Sequence, residues 1–258
     1  MNFETLMLEK KESICTITLN MPENLNAITT KLSQELYEAL QKIKADTDCL
    51  VVILTGTGKG FIGGADIKHM VNLDALGGSQ FGYMVSRSIL EMEKMDKVFI
   101  AAVNGYALGA GFEVALGCDI RIFSTGAKVG LPETGLGVMP GAGGTQRLQR
   151  LVGIGKANEM IFTGDILSAK EAFSLGIANK LVEPEALMDA AFEMAGKISS
   201  KSPTGIRLAK EAIQKGKDMD LEKAVEYEKN LFGLCFSTAE KTEGMTAFIE
   251  KRKPVFKR

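Results

Sequence analysis

The chain has 258 residues, a formal net charge of -1, an apolar content of 45% and a charged content of 24%. These values fit a globular protein with a sizeable buried core, and the balanced charge gives no reason to expect binding to nucleic acid or to an acidic membrane surface. Because His69 is the only histidine, a histidine-based metal site or a Ser-His-Asp triad could be built only on that residue.

The first third of the chain alternates between strand and helix patterns. Residues 3–8 and 14–19 are predicted to form two strands joined by a charged turn. Apolar residues at helical spacing predict an amphipathic helix over 30–45, and the apolar run at 50–55 is typical of a strand buried on both faces. Residues 73–82 have small side chains and no strong periodicity, so we expect a mobile segment there, followed by a helix over 84–95.

The segment 98–133 carries the strongest functional pattern. A buried strand at 98–103 is followed by a glycine-rich turn and the helix start FEVALGCD, and a second strand at 120–124 leads to the loop VGLPETGLG. A glycine turn before a helix leaves backbone N–H groups free to bind an anion. Glu113 and Glu133 lie in this otherwise apolar setting, and two carboxylates beside such donors indicate a metal-free acid/base site.

Local sequence leaves a structural explanation open for each of these residues. Ala65 in GGAD and Ala110 in GAG could each present an N–H group to an oxyanion, or could belong to tight turns that need glycine dihedral angles. Glu113 could complement the positive end of a helix dipole, and Glu133 could be a solvated loop acid. The combination of all four is more informative than any one of them.

A nucleotide site is the rival explanation for the glycine turns. The third glycine of a dinucleotide fingerprint that begins at Gly109 is replaced by Val114. The sequence GTGKG at 56–60 also lacks the spacing and the Ser/Thr of a phosphate loop. We therefore do not expect nucleotide binding of these kinds.

The last part of the chain is predicted to be mostly helical. A glycine cluster at 141–144 precedes a short basic helix, and short helices are predicted over 157–162 and 168–175, before a short strand in ANKLVEP. From residue 185 the helical pattern continues almost to the end, with breaks at 202–203 and at 216. Strand-rich sequence followed by helical sequence predicts an α/β core with a C-terminal helical appendage.

Sequence features also predict the compartment. The N-terminus lacks the order of a signal peptide, and no apolar run approaches the ~18 residues of a membrane span. The four cysteines have no paired spacing. We expect reduced thiols in a cytoplasmic protein without a membrane partner.

Five ordered motifs resemble the enoyl-CoA hydratase, or crotonase, family over nearly the full length of the chain. They are GGADIKHM at 63–70, AAVNGYALGAGFEVALGCDIRI at 101–122, GLPETGLGVMPGAGGTQRL at 130–148, FTGDILSAKEAFSLGIANKLV at 162–182 and EGMTAFIEKRKPVF at 243–256. The resemblance implies the crotonase (ClpP/crotonase-like) α/β fold, a spiral of β-β-α units. It further implies a core over 1–195, a helical region for oligomerisation and CoA contact over 196–258, and assembly into a trimer or a dimer of trimers.

The resemblance also implies roles for individual residues. An acyl-CoA thioester would place its carbonyl oxygen between the N–H groups of Ala65 and Ala110. Glu113 would activate a water for attack at Cβ, and Glu133, kept protonated by the neighbouring carboxylate, would protonate Cα. No metal and no cofactor other than the CoA of the substrate would be needed. The remaining substrate-binding and CoA-binding positions implied by the resemblance are Ala27, Gly63, Asp66, Ile67, Lys68, Gly109, Phe248 and Lys251.

Two positions depart from the usual family pattern. Ala110 stands where a glycine is common, and Glu23 stands where a lysine often lies near the CoA phosphates, which puts that one contact in doubt. The sequence predicts an enoyl-CoA hydratase that adds water syn to short trans-2-enoyl-CoA esters and gives (3S)-3-hydroxyacyl-CoA. A hydratase or isomerase for a cyclic, branched or longer acyl group is the alternative, and a non-catalytic binding or assembly member is a rival of another class.

Overall fold

The computed structural model describes residues 3–256 of the chain. Its strands, in chain order, are β1 (Leu6–Lys11), β2 (Ile14–Leu19), β3 (Val51–Gly56), β4 (Gly60–Ile62), β5 (Val98–Val103), β6 (Tyr106–Leu108), β7 (Ile120–Ser124), β8 (Lys128–Gly130), β9 (Leu167–Ser168) and β10 (Lys180–Val182). Its α-helices are α1 (Thr30–Ala45), α2 (Ile67–Met70), α3 (Ala75–Lys94), α4 (Ala110–Gly117), α5 (Gly144–Val152), α6 (Ile154–Thr163), α7 (Ala169–Ser174), α8 (Leu187–Ser199), α9 (Pro203–Gly216), α10 (Leu221–Cys235) and α11 (Ala239–Ile249). Within residues 3–256, no helix is both long enough and apolar enough to cross a membrane.

From β3 to β8, consecutive strands alternate between two sheets, which produces the predicted spiral. The larger sheet has the order β1-β2-β3-β5-β7-β10, and the smaller has the order β4-β6-β8-β9. Each turn of the spiral adds one strand to the larger sheet and the next strand to the smaller sheet, as in β3-β4, β5-β6 and β7-β8. All strand pairs are parallel except β1 with β2 and β8 with β9. The predicted α/β spiral of β-β-α units is confirmed.

The central strands of the larger sheet are buried on both faces, as their apolar sequences predict. Side chains alternate along a strand, so Val52 and Leu54 of β3 enter the main core, while Val51 and Ile53 enter a second core on the opposite face. Helix α8 covers that second face with small residues such as Ala191. The central strands therefore form a rigid base for the turns that follow them.

The helix predicted over 84–95 starts earlier, within the segment 73–82, whose mobility stays a prediction. Residues 75–82 form the first turns of α3, and the side chain of Asp74 caps the helix by accepting a hydrogen bond from the N–H of Gly77 (2.8 Å). The buried stripe of α3 starts only at Phe81 and continues through Val85 and Ile89. The exposed first turn therefore has no apolar periodicity, and only the cap could have indicated its start.

Other differences concern element boundaries and short strands. The first strand begins at Leu6 rather than at residue 3, and β4, β6 and β8 fall in segments that we had interpreted as turns and loops. Three-residue strands carry too few alternations to be recognised from periodicity. The predicted helix break at 202–203 falls at the start of α9, after α8 has ended at Ser199, and the predicted break at 216 is the last residue of α9.

Helix α9 is joined to the core by a buried charged group. The ammonium of Lys210 donates to the carbonyls of Met92 (2.9 Å) and Lys97 (2.7 Å) and to Oδ2 of Asp119 (2.8 Å). The same Asp119 oxygen accepts the N–H of Phe99 (2.8 Å). All three ammonium protons thus have acceptors, which a buried lysine requires.

The predicted division of the chain into a core over 1–195 and a helical region over 196–258 stays a prediction. The proposed boundary falls within α8.

Replacing Lys210 by Met should lower the free energy of unfolding by about 3 kcal/mol, because Asp119 and two carbonyls lose their buried partner. Lys215 of the same helix is a matched control, since its ion pair with Glu211 (2.8 Å) is exposed. Lys215→Met should change that free energy by less than about 1 kcal/mol. Urea unfolding at one fixed protein concentration would measure both, and equal effects of the two changes would contradict the role of Lys210.

Candidate active site

A cavity of about 470 Å³ lies where α2, α3 and the start of α4 meet the loop that follows β8. One part of its wall is polar and carries Glu113, Glu133 and the backbone around Ala65 and Ala110. The rest is apolar. Its side chains come from α2 and α3 and from the loop before α5; they are Ile67, Met70, Phe81, Val85, Leu136, Val138 and Met139. The cavity can therefore hold a small apolar group next to a few polar ones.

The N–H group of Ala65 is left free by a parallel β-bridge with Ile28. In this bridge the N–H of Ile28 donates to the carbonyl of Gly64 (2.8 Å), and the N–H of Asp66 donates to the carbonyl of Ile28 (3.0 Å). The bridge thus uses groups on either side of Ala65 and not its own N–H. That N–H has no acceptor within residues 3–256.

The N–H group of Ala110 is free because Ala110 is the first residue of α4. Gly109 turns the chain into the helix with a φ of +50°, and its own N–H donates to the carbonyl of Gly130 (2.9 Å). Gly111 lets α4 pack directly on β4, since a Cβ there would lie 2.1 Å from the carbonyl oxygen of Ile62. In the part of the chain that the structure describes, the N–H of Ala110 likewise has no acceptor.

Glu113 lies one turn into α4 and is only 2% exposed. Its Oε1 accepts hydrogen bonds from the N–H groups of Ala142 (2.8 Å) and Gly144 (2.7 Å), in the glycine-rich loop that leads into α5. Burial raises the pKa of the Glu113 carboxyl group, and the hydrogen bonds from the two amides and the charge of Arg147 offset only part of this rise. These groups stabilise the ionised form of Glu113 inside the protein.

Glu133 has a contrasting environment. It is half-buried at the start of the 3₁₀ helix Pro132–Leu136, and its buried Oε2 has no hydrogen-bond partner within residues 3–256. Burial raises the pKa of Glu133 to about 7, its own backbone N–H opposes this, and the nearby charge of Glu113 adds to it. The predicted contribution of the neighbouring carboxylate is thus present, and burial contributes more. Gly109 leaves room for this carboxyl group, since a Cβ there would lie 3.2 Å from Oε1 of Glu133.

The two carboxyl groups differ in how well their environments stabilise the ionised form. Glu113 accepts two amide hydrogen bonds from other residues, whereas Glu133 accepts none from another residue within 3–256. An ionised Glu113 and a protonated Glu133 would provide a general base and a general acid in one cavity. The unpaired N–H groups of Ala65 and Ala110 line the same cavity and can stabilise an oxyanion.

The other predicted positions fall into three groups. Gly63, Ile67 and Gly109 line the cavity. The remaining N-terminal positions lie beside it: Ala27 precedes the bridge residue Ile28, Asp66 caps α2 and Lys68 is exposed on α2. Phe248 and Lys251, at the end of α11, do not line the cavity, and Phe248 is 85% exposed. Within one chain, the structure does not bring the last two residues to the site.

The groups that hold Glu113 were not predicted from the sequence. The glycine cluster at 141–144 was visible, but nothing local indicated that its amides point at a carboxylate some thirty residues earlier. Arg147 was seen only as part of a basic helix. A run of glycines just before a helix is the signal that could have suggested an anion-binding loop, here for a carboxylate of the protein itself.

Comparisons with known proteins agree with this geometry. A family model described as enoyl-CoA hydratase/isomerase matches residues 9–258. The chain is 45% identical over 254 residues to a short-chain-enoyl-CoA hydratase of Clostridium acetobutylicum, which covers 98% of this chain and 97% of that protein. It is 44% identical over 257 residues to a crotonyl-CoA hydratase of Syntrophomonas wolfei, covering 99% of each. A crystal structure of enoyl-CoA hydratase from Bacillus anthracis superimposes with a TM-score of 0.96 at 39% identity, covering 98% of this chain and 99% of that one.

Proposed function

The chain belongs to the enoyl-CoA hydratase/isomerase family, and we propose that it adds water syn to short-chain trans-2-enoyl-CoA esters, giving (3S)-3-hydroxyacyl-CoA reversibly. The observation that carries the proposal is one cavity that combines two unpaired N–H groups with two carboxyl groups, of which only Glu113 accepts amide hydrogen bonds from other described residues. The names of the relatives from Clostridium acetobutylicum and Syntrophomonas wolfei support a short acyl chain.

In the proposed mechanism, the N–H groups of Ala65 and Ala110 bind the thioester oxygen. Conjugation to the thioester makes Cβ electrophilic, and attack by water pushes negative charge onto that oxygen. Two donors that already lack other acceptors can stabilise this charge without rearrangement, and one such donor typically contributes about 3 kcal/mol. The Cβ of Ala110 leaves its N–H available, so the alanine is compatible with this role.

Glu113 and Glu133 divide the proton transfers between them. Ionised Glu113 takes a proton from the attacking water, and protonated Glu133 delivers a proton to Cα. The N–H groups of Ala142 and Gly144 donate only to Oε1 of Glu113, which leaves Oε2 for the water. No electrons are transferred in the addition of water, so the proposed reaction calls for no redox cofactor, and CoA acts only as the carrier of the acyl group.

We place the acyl chain against the apolar wall formed by Met70, Phe81 and Val85. Met70 belongs to α2, and Phe81 and Val85 belong to α3. The apolar wall excludes water from the reacting atoms, which strengthens the polar interactions around the thioester.

The CoA contacts assigned to Phe248 and Lys251 require a second copy of the chain. Both lie on a C-terminal region with many exposed apolar side chains, among them Leu221, Phe232 and Ile249. We propose a trimer or a dimer of trimers in which this region is buried and α11 reaches a neighbouring site. Light scattering should give the mass of one of these assemblies, and a stable monomer would contradict the proposal.

A cytoplasmic location is part of the proposal. Cys15, Cys49, Cys118 and Cys235 are all free thiols, and the first three are buried. Unpaired cysteines are typical of a reducing compartment.

The pH dependence of kcat/KM should reveal the protonated acid. Since Glu133 must carry a proton and its pKa is raised to about 7, kcat/KM should fall as the pH rises above about 7. The acidic side of the profile should follow ionisation of Glu113, which must be deprotonated to act as the base. Initial rates with crotonyl-CoA between about pH 5 and about pH 9 would measure both sides. A profile that stays flat to the alkaline end would contradict the assignment of Glu133.

The direct test of the function is the loss of enone absorbance when the purified protein is mixed with crotonyl-CoA, followed by analysis of the product. Rapid loss with formation of the (3S) alcohol would support the proposal. A folded oligomer that does not hydrate crotonyl-CoA would contradict the short-chain assignment. Longer, cyclic and 3-enoyl thioesters would then be tested.

A further inference from the structure

Arg147 of α5 contacts both the loop that holds Glu113 and the carboxylate of Glu93. Its Nη1 donates to the carbonyl of Ala142 (2.9 Å), the residue whose N–H donates to Oε1 of Glu113 (2.8 Å). Its Nε and Nη2 each donate to one carboxylate oxygen of Glu93 in α3 (2.8 Å in both cases). We propose that Arg147 is a positioning residue for Glu113, because its guanidinium, held by Glu93, fixes the loop whose amides orient the carboxylate. This inference rests on the hydratase function proposed above.

The loop between Ala142 and Gly144 is shaped to fit against this guanidinium. Gly143 has a φ of +104°, and a Cβ at this position would lie 2.0 Å from Nη1 of Arg147. The backbone N–H of Arg147 also donates to the carbonyl of Gly143 (2.9 Å). The side chain and the backbone of one residue thus contact consecutive carbonyls of the loop, which fixes its path on both sides.

Only an arginine can make this set of contacts. Three different nitrogens are used, two for Glu93 and one for Ala142, in the planar arrangement that a guanidinium presents. A lysine would retain the charge but could not span both partners with fixed geometry. The side chains of Arg147 and Glu93 are 14% and 15% exposed, so this pair is much less screened than a surface ion pair.

The same arrangement acts on Glu113 through charge. The positive charge of Arg147 lowers the pKa of Glu113 against the effect of burial, which favours the ionised base. Loss of Arg147 should therefore raise the pKa of Glu113.

The carboxylate of Glu93 compensates the positive charge of Arg147. Burial opposes its ionisation, but the hydrogen bonds and charge of Arg147, together with the charges of Lys217 and Lys210, hold the pKa of Glu93 below its usual value. Lys217 lies 4.0 Å from Glu93. Neutralising Glu93 would leave the positive charge of Arg147 less compensated, so the pKa of Glu113 should then fall.

Four variants would test the inference by kcat, KM and the pH profile of crotonyl-CoA hydration. Arg147→Gln should lower kcat on the order of 10- to 100-fold through misplacement of the base, with KM within about twofold. The acidic limb of its pH profile, which reports ionisation of Glu113, should move to higher pH. The acidic limb of Glu93→Gln should move to lower pH. Arg147→Lys should keep the wild-type limb and have an intermediate kcat. Arg150→Gln is the matched control on α5 and should behave as wild type, since Arg150 is 50% exposed and contacts Asp218 and Gln146 on the surface.

Opposite shifts of the limb are the decisive result, because a merely structural role would lower activity in both variants without moving the limb in opposite directions. Unchanged kcat and limb in folded Arg147→Gln would overturn the inference, as would equal limbs in the glutamine variants of Arg147 and Glu93. If Arg147→Gln does not fold, the Glu93→Gln limb alone decides.

A second readout separates this inference from the hydratase function. Titration of the Glu113 carboxyl by ¹³C NMR, assigned with Glu113→Gln, requires no turnover. If wild-type protein fails to hydrate crotonyl-CoA, the proposed function fails, yet a raised Glu113 pKa in Arg147→Gln and a lowered one in Glu93→Gln would still support the positioning role. An unmoved titration in both variants would overturn it whatever the activity.

Discussion

Glu133→Gln should lower kcat for crotonyl-CoA hydration by between about 10² and 10⁴-fold while the affinity for acyl-CoA stays nearly unchanged. A glutamine amide is close in shape to a protonated carboxyl group and can occupy the same half-buried position behind Gly109. It cannot give up a proton to Cα, however. The loss should therefore appear in kcat rather than in binding, and the residual activity should no longer decline as the pH rises above about 7.

A second glutamate offers a matched control for this change. Glu185 also follows a proline in a 3₁₀ helix, Pro184–Ala186, but it is exposed and lies outside the cavity. Glu185→Gln should retain wild-type kcat and wild-type pH dependence. Steady-state rates together with calorimetric binding of butyryl-CoA would measure both variants. Unchanged turnover in Glu133→Gln would remove this residue as the acid, and equal losses in the two variants would point to a general effect of charge.

The fold could be predicted where long apolar patterns specify it. The strands β3, β5 and β7 and the helix α1 have enough consecutive apolar or periodic residues to be recognised from sequence alone. The three-residue strands β4, β6 and β8 do not, since they are defined by parallel pairing with distant segments. The smaller sheet, and with it the closeness of Ala65 and Ala110, entered the prediction only through the resemblance to a known family.

The site could be predicted as a set of residues but not as an electrostatic arrangement. Glu113, Glu133, Ala65 and Ala110 were identified and do line one cavity, and their catalytic roles stay proposals. What separates the two carboxyl groups is the set of amides around Glu113, which comes from a loop about thirty residues later. Such contacts depend on how the two segments pack together, and no local pattern encodes them.

Gly111→Ala should both weaken the fold and disable the site. The new Cβ would lie 2.1 Å from the carbonyl oxygen and 2.6 Å from the Cβ of Ile62, so backbone has to move. Crowding of this kind commonly lowers the free energy of unfolding by about 1–3 kcal/mol. Gly196→Ala in α8 is the control, because the added Cβ would have no heavy atom of residues 3–256 within 4 Å apart from the adjacent backbone of its own helix. It should raise that free energy by up to about 1 kcal/mol.

The effect of Gly111→Ala on activity follows from what lies next to the contact. Ile62 leads directly into the segment of Ala65, and Gly111 follows Ala110, so separating β4 from α4 also separates the two proposed oxyanion donors. A displacement of about 1 Å at such donors can lower kcat on the order of 10²-fold. Rates measured on folded protein, with unfolding followed in parallel, distinguish this loss from simple instability. Full activity in a destabilised Gly111→Ala protein would mean that β4 and α4 can move apart while Ala65 and Ala110 keep their relative positions, which would contradict the rigid pairing on which the proposed mechanism depends.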